Sequence, residues 1–363
     1  MSSYAIVPVL FLAVATLFLM QRKRKKIAQA KKLCRMMPKV DLHYHLHGSI
    51  RPTTFLKFAN SQNLQVDENS ILQSYRTLAV CFSIFSDVHR LVNNEENLRR
   101  VVREALEDLW IDNVRYAEIR TTPKPLSDSV SAEEYVSIIL DEIQKFRHIS
   151  DDFKSGTLTV KLILSVDRAK PIAAAWDTLA IARKFQGRVV GLDFGGNPFK
   201  GKFSDFRKFF EKAREWFPCT VHAAEILDEA DTDCILDFRP NRLGNFLLVT
   251  HKQFEKAKSI PIEVCPTSNL KTLEIPGLKE HPTLDRLLKE ETNRLSIGTD
   301  DTGIFMTSLS SEFERLAIEL SLSSDELFQL QRNAVKMSFL SDHLKHLLES
   351  TLNEEFDQLV RLA

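Results

Sequence analysis

Two histidines separated by one residue, His43 and His45, close a short apolar run near the start of the chain. In an extended strand, residues at i and i+2 point to the same side. The two imidazole rings would therefore be directed at one point where the strand ends, and neutral imidazole is a common metal ligand. A lone pair of this kind also occurs in ordinary strands. The pair predicts half of a metal site, whose other ligands must come from elsewhere in the chain.

The pattern after residue 37 predicts the scaffold that would bring those ligands together. Short apolar runs alternate with longer amphipathic stretches, which is typical of strands alternating with helices. Helical patterns cover residues 96–110, 132–147, 171–185, 205–216 and the chain from 308 onward. The predicted strands are residues 40–43, 114–120, 158–166, 189–194, 219–222, 242–244, 262–265 and 295–299. Such an alternation predicts an α/β fold, a single (β/α)8 TIM barrel over residues 37–363.

In such barrels the chemistry lies at the carboxyl ends of the strands. Ionisable residues follow several of the predicted strands: His43 and His45, Asp167, His222 and Glu225, and Asp300 and Asp301. Each group alone has an ordinary explanation, such as a surface ion pair or a helix cap. Taken together, three histidines and an aspartate at one end of a barrel predict a zinc site with nitrogen and oxygen ligands.

Composition restricts the partners. The chain has 49 basic and 49 acidic residues. Such a balance gives no sign of a nucleic-acid partner. The five cysteines are odd in number and form no Cys-x-x-Cys pair, which predicts a reducing, cytoplasmic compartment without a disulfide framework. The chain is expected to act as a monomer on a small molecule.

The first 36 residues differ from everything that follows. Residues 4–20 form an uncharged apolar run, and a basic cluster at residues 22–26 follows at once. A run of this length is at the lower limit for spanning a bilayer, and the cluster predicts that the following chain stays on the cytosolic side. Residues 1–36 are thus predicted to be either a membrane anchor with a basic linker or an alternative start of the chain.

Six motifs in order give the chain a resemblance to the adenosine deaminase family of metal-dependent amidohydrolase barrels. Within that family it looks most like the branch that acts on N6-methyl-AMP. The motifs are VDLHYHLHGS at 40–49, YAEIRTTP at 116–123, GLDFGGNP at 191–198, TVHAAE at 220–225, CPTSN at 265–269 and GTDD at 298–301. The resemblance spans about residues 38–313 and implies hydrolytic removal of the group on C6 of a purine.

The resemblance also implies roles for individual residues. One zinc ion per chain would be held by His43, His45, His222 and Asp300. Such a metal lowers the pKa of a bound water molecule towards neutrality. Glu225 would protonate N1 of the purine as a general acid–base. Asp301 and Gly196 would bind the purine ring.

The nucleotide branch is favoured by the segment after the second strand. The hydroxyls of Thr121 and Thr122 and the ammonium of Lys124 suit a monophosphate. The alternative for Lys124 is a solvated loop lysine. In that branch the nucleotide also contacts further positions of the chain. These are His45, His47, His89, Pro123 and Asp167.

One motif departs from the family pattern at the end of the sixth strand. The family carries a His-Gly pair after Arg-Leu-Gly, and its histidine orients the attacking oxygen. This chain has Gly244 followed directly by Asn245. Either Asn245 or His251 replaces the missing histidine, or the chain converts its substrate with a low kcat.

Three functions therefore remain open. The first is a zinc-dependent deaminase converting N6-methyl-AMP to IMP and methylamine. The second is deamination of adenosine to inosine, in the same reaction class with a different pocket. The third is a catalytically impaired barrel that binds zinc and nucleotide, and the missing histidine is the feature that favours it.

Inserting His-Gly between Gly244 and Asn245 tests the consequence of that departure. The zinc ligands lie on other strands, so binding should change little, while kcat should rise on the order of a hundredfold or more. Steady-state kinetics with zinc analysis measure both quantities. His251→Ala is the control for a substitute histidine, and a fast unmodified chain indifferent to both changes would contradict the hypothesis.

Overall fold

The computed structural model describes residues 6–66, 77–127 and 129–362. Their eight strands are all parallel and pair in chain order, which confirms the (β/α)8 barrel. The strands are β1 Lys39–His45, β2 Val114–Thr121, β3 Thr159–Asp167, β4 Val189–Gly195, β5 Cys219–Ala223, β6 Arg242–Asn245, β7 Ile262–Val264 and β8 Leu295–Ile297. All eight predicted strands are present, and β7 and β8 are shorter than the apolar runs that predicted them.

Fifteen α-helices surround or extend the barrel within the described residues. They are α1 Ile6–Met36, α2 Pro52–Ser61, α3 Leu78–Leu91, α4 Glu95–Ile111, α5 Ala132–Lys145, α6 Ile172–Lys184, α7 Phe203–Ala213, α8 Glu229–Phe238, α9 His251–Lys256, α10 Pro266–Thr272, α11 Leu284–Glu290, α12 Thr302–Phe305, α13 Leu309–Glu319, α14 Ser324–Met337 and α15 Asp342–Leu362. Short 3-10 helices span Leu278–Glu280 and Thr292–Arg294. The four helices predicted between strands correspond to α4, α5, α6 and α7, with small shifts of their ends.

The barrel closes through a bridge between the first strand and the segment after β8. Tyr44 pairs in parallel with Asp300. The Asp300 amide donates to the His43 carbonyl over 2.8 Å, and the His45 amide donates to the Asp300 carbonyl over 2.8 Å. These bonds interleave the backbone of the predicted ligands from the first and last strands, so their side chains share one end of the barrel.

The main apolar core lies between the barrel wall and the surrounding helices. An example is the aromatic cluster between β4 and the helices α7 and α8, where Phe194 lies edge-on to Phe203 and Phe210. Aromatic pairs in this geometry add to the stabilisation that their buried area supplies. The cluster fixes α7 against β4 and so supports the loop that carries Gly195 and Gly196.

The end of helix α1 is tied to the barrel by a buried lysine. The Lys39 ammonium, fully buried at the start of β1, donates to the carbonyls of Cys34 and Met37 over 2.9 and 2.8 Å. Cations stabilise the carbonyl end of a helix. Burial lowers the pKa of Lys39 to about 8. Among the described residues no helix is long and apolar enough to cross a membrane, and the predicted anchor at 4–20 lies largely outside the residues whose side chains are described.

Candidate active site

A cavity of about 490 Å³ opens at the carboxyl ends of the strands. Most of the residues singled out in the sequence line it, so the fold brings them together in one cavity. They are His45, His47, His89, Thr121, Thr122, Asp167, Gly196, His222, Glu225, Asp300 and Asp301. His43 lies beneath the cavity floor with no exposed surface. Pro123 and Lys124 are partly buried and lie outside this lining.

Four side chains form a cluster suited to a metal ion. One ligand atom from each of His43, His45, His222 and Asp300 lies within 4.8 Å of the others. Asp300 Oδ1 is 3.4 Å from His43 Nε2 and 3.3 Å from His45 Nε2. His43 Nε2 is buried and has no hydrogen-bond partner among the described residues. An orphaned nitrogen facing a carboxylate and two imidazoles fits a metal bound by nitrogen and oxygen ligands.

Buried carboxylates set the tautomers of two of these histidines. Glu263 Oε2 is 2.7 Å from His43 Nδ1, and Asp193 Oδ1 is 3.0 Å from His222 Nδ1. Each carboxylate accepts the proton of Nδ1, which leaves Nε2 of each ring as the nitrogen available to a metal. Such partners orient metal-ligating histidines and raise their basicity.

Glu263 and Asp193 were not singled out in the sequence, and neither was the role of Arg120 between them. The Arg120 guanidinium donates to Glu263 Oε2 over 2.8 Å and lies 3.4 Å from Asp193 Oδ1. All three side chains are fully buried. The available signal was a charged residue inside an otherwise apolar strand, because a buried charge requires a partner.

The pKa values of the ligands follow from this environment. Burial lowers the pKa of His45 well below its usual value, with smaller effects from neighbouring charges. Burial also acts to lower the pKa of His222, but the Asp193 carboxylate outweighs it and raises that pKa to about 9. His45 is thus already neutral as metal binding requires, whereas His222 must release a proton when a metal binds.

Asp300 and Asp301 follow β8 and have different surroundings. Asp300 adopts a left-handed backbone (φ 63°) and accepts a 2.6 Å hydrogen bond from the Ser268 hydroxyl. Asp301 Oδ1 is buried with no hydrogen-bond partner among the described residues. A Cβ at Gly48 would lie 1.6 Å from that oxygen, so only glycine leaves room for Asp301. Burial, followed by repulsion from Asp300, raises the pKa of Asp301 well above its usual value.

Glu225 lies in the cavity wall beyond β5. Ala224 before it has a positive φ of 55°, and this turn separates the directions of His222 and Glu225. The Asn245 amide nitrogen donates to Glu225 Oε1 over 3.2 Å. Burial raises the pKa of Glu225, which favours a protonated carboxyl able to act as a general acid.

The end of β6 decides between the two candidate substitutes for the missing histidine. Asn245 and Phe246 both have left-handed backbones, with φ of 65° and 56°. The Phe246 amide donates to the Ala223 carbonyl over 3.0 Å, so the chain turns sharply over the end of β5. Asn245 therefore reaches Glu225. His251 is exposed at the start of α9 and does not line the cavity.

A second group of polar side chains surrounds His47, His89 and Thr121, which line the cavity. Lys124 Nζ is 3.2 Å from His89 Nδ1 and donates to the His89 carbonyl over 3.1 Å. The His47 ring lies 4.8 Å from the His89 ring, and the Tyr135 hydroxyl is 2.5 Å from the Thr121 hydroxyl.

Sequence reasoning missed two lysines in this region. Lys170 and Lys200 are exposed residues in the loops after β3 and β4, and both line the cavity. Their position after strand ends was the signal that could have found them. These two lysines, with Lys124 held behind the lining residue His89, make this side of the cavity favourable for an anion.

The carboxylate–histidine contacts lead to a prediction about metal retention. The purified chain should hold about one metal ion, and His43→Ala should abolish its retention. Glu263→Gln keeps every ligand but replaces the anionic acceptor of the His43 Nδ1 proton by a neutral amide, and should weaken metal affinity by about 10- to 100-fold. Competition with a chelator, followed by metal analysis, measures this. Glu107→Gln, at an exposed ion pair with Arg51, is the matched control, and equal affinity in all four proteins would contradict the assignment.

The comparisons with known proteins agree with this geometry. A family model described as adenosine deaminase matches residues 38–355. The chain is 32% identical over 340 residues to the N6-mAMP deaminase of Arabidopsis thaliana, covering 86% of this chain and 95% of that protein. It is 30% identical over 337 residues to the adenosine deaminase of Clostridium botulinum, covering 88% and 98%. A crystal structure of Arabidopsis ADAL complexed with IMP matches with a TM-score of 0.83 and 32% identity, covering 90% of this chain and 98% of that one. On its motifs, its barrel and these relatives, the chain belongs to the adenosine deaminase family.

Proposed function

We propose that the chain is a zinc-dependent hydrolase that converts N6-methyl-AMP and water to IMP and methylamine. This proposal rests on one observation, that two groups of functional side chains lie at the same cavity. A cluster of metal-ligand type lies on the floor, and donors suited to a phosphate lie near His89 and Thr121. A relative 32% identical is named an N6-mAMP deaminase, which supports the same substrate. The barrel of residues 37–363 would carry the activity in a single copy, since every proposed ligand belongs to one chain.

The metal fits the donor set. Zinc prefers tetrahedral sites with histidine nitrogen and carboxylate oxygen ligands, and His43, His45, His222 and Asp300 supply them. When bound, it would lower the pKa of a water molecule towards neutrality. The carboxylates of Glu263 and Asp193 would orient the histidines and balance charge, and would not bind the metal.

The remaining steps belong to the side chains. Glu225, whose pKa is raised by burial, would donate a proton to N1 of the purine. Asp301 and the backbone at Gly196 would hold the ring. Gly196 has a φ of 93°, and a Cβ there would lie 2.4 Å from Asp167 Oδ1, so this position beside Asp167 depends on glycine.

Two other functions have specific support. A relative 30% identical is named an adenosine deaminase, which keeps adenosine as a second substrate. Slow turnover is favoured by the end of β6, where the family's histidine is missing and the buried Asn245 donates to Glu225 instead. Comparing product formation from N6-methyl-AMP, AMP and adenosine by ultraviolet spectra, with zinc content measured in parallel, separates these functions.

Removing the ammonium of Lys124 tests the nucleotide assignment. In Lys124→Ala, kcat/KM for N6-methyl-AMP should fall about ten- to a hundredfold, because a charge-assisted contact contributes roughly 1.5–3 kcal/mol. The value for N6-methyladenosine should stay unchanged. Lys154→Ala, which removes a mostly exposed lysine before β3, is the matched control. An equal loss on both substrates would contradict a phosphate contact by Lys124, and equal kcat/KM for nucleotide and nucleoside in the unmodified chain would favour the adenosine function.

The pH dependence gives an independent test of the same residue. Burial lowers the pKa of Lys124 to about 8. Lysine is charged below its pKa, so its attraction for phosphate is present near pH 7 and lost as pH rises through about 8. The ratio of kcat/KM for nucleotide to that for nucleoside should therefore decline between about pH 7 and 9. Lys124→Arg should abolish the decline because arginine stays charged, and a ratio that is flat in the unmodified chain would exclude a phosphate role for Lys124.

A further inference from the structure

A chain of three buried polar side chains leads from the far side of β7 to Glu225. His281 Nε2 lies 3.2 Å from Asn269 Oδ1, and Asn269 Nδ2 donates to Asn245 Oδ1 over 2.8 Å. Asn245 Nδ2 then donates to Glu225 Oε1 over 3.2 Å. The three residues are 4%, 1% and 2% exposed, so water is largely excluded from them. None of the three belongs to the metal-ligand cluster.

Backbone amides fix the direction of every bond in this relay. The amides of Thr283 and Leu284 donate to His281 Nδ1 over 3.3 and 3.1 Å. Nδ1 is therefore the acceptor, and the imidazole proton is on Nε2. That nitrogen donates to Asn269 Oδ1.

The side-chain amides of Asn269 and Asn245 donate in the same direction, towards Glu225. The Cys265 amide also donates to Asn269 Oδ1 over 3.2 Å. With its oxygen occupied by two donors, Asn269 presents its NH2 group to Asn245, and Asn245 presents its own NH2 group to Glu225. An amide with one end saturated by donors cannot turn over without losing those bonds.

From this geometry we infer that the His281–Asn269–Asn245 relay positions the proton of the general acid. Because Oε1 of Glu225 accepts from Asn245, the carboxyl proton is confined to Oε2, the oxygen left free to serve the cavity. The inference rests on the proposed function for the identity of the proton's acceptor. In the catalytic step the Oε2–H bond breaks as the purine N1–H bond forms. The electron pair stays on the carboxylate, whose negative charge the Asn245 NH2 group then stabilises.

The backbone at the end of β6 makes this position of Asn245 rigid. Two consecutive left-handed residues occur there, and such conformations persist only where the surrounding structure determines them. The Leu248 amide closes the turn by donating to the Ala224 carbonyl over 2.8 Å. Asn245 and Glu225 are thus joined by backbone as well as by side chain. Asn245 and Asn269 are positioning residues, since they act through Glu225.

Asn269→Asp tests the relay at a residue that does not touch Glu225. Aspartate still accepts from His281 and Cys265 but cannot donate to Asn245. Asn245 should then turn its NH2 group towards residue 269 and its oxygen towards Glu225, which draws the carboxyl proton to Oε1. We expect kcat on N6-methyl-AMP to fall about tenfold or more, with KM changed less than about fivefold. Asn245→Ala, which adds no charge, should also lower kcat with a smaller change in KM.

The controls exclude a general loss of structure. Asn241→Asp makes the same substitution at an exposed residue whose Oδ1 accepts from the Cys219 amide at the other end of the barrel, and it should leave kcat unchanged. Metal content and thermal unfolding are measured for each variant. The variants are made in the unmodified chain, because an insertion after Gly244 would move Asn245 along the loop.

A binding measurement tests the relay without turnover. IMP carries a hydrogen on N1 that would be donated to Oε2 of Glu225 once that carboxyl has lost its proton, whereas 1-deaza-AMP has a carbon there. Calorimetric titrations of the metal-loaded chain measure the Kd of each ligand. Asn269→Asp and Asn245→Ala should each raise the Kd of IMP about tenfold and change the Kd of 1-deaza-AMP by less than about twofold. If the chain deaminates no substrate but shows this selective loss, the relay stands and the proposed function falls. If both variants bind IMP like the unmodified chain, the relay is overturned whatever the activity.

Discussion

The carboxylate of Glu263 is the contact on which the site depends most. It lies fully buried inside the barrel, where it meets the imidazole of His43, the guanidinium of Arg120 and that of Arg242, whose Nε is 2.5 Å from Oε1. Burial alone would raise the pKa of Glu263, but the two arginines hold it well below its usual range. Taking an unpaired charge out of water is very unfavourable. The carboxylate is therefore stable only because the partners on neighbouring strands are in place, and each of them needs it in return.

The same ion pairs extend along the barrel axis in both directions. Towards the cavity, Arg120 connects Glu263 to Asp193, which orients His222. In the other direction, Arg242 pairs with Glu118 over 2.5 Å and lies over the Phe339 ring. The Phe339 amide donates to Glu118 over 2.6 Å, and the Met337 carbonyl accepts from Arg242 over 3.0 Å. The segment after α14, which carries no obvious chemistry in the sequence, thus completes the charge network that begins at the metal ligands.

The sequence predicted the parts of the site that local spacing reveals. His43 and His45 share one side of β1 because side chains alternate along a strand, and Glu225 follows His222 across a turn. Asp193 and Glu263 escaped notice because their meaning depends on pairing between strands far apart in the chain. Lys170 and Lys200 were missed for the same kind of reason. Which loop lysine faces a cavity depends on loop paths, and no periodic pattern specifies a loop path. The relay through His281 was out of reach because side-chain amides have no spacing rule.

The end of β6 shows how two catalytic tasks can be separated within one fold. Orienting the attacking oxygen requires a group directed at the metal, and this chain has no histidine after Gly244 to provide it. Holding the general acid requires only a donor to Glu225, and the sharp left-handed turn at Asn245 and Phe246 brings an amide to that position. Because the amide is held from behind by Asn269, it can direct the proton without contacting the metal. On the proposed roles, a shortened loop would affect the attack on C6 more than the protonation of N1. The residues proposed as metal ligands, on β1, β5 and beyond β8, would remain independent of both.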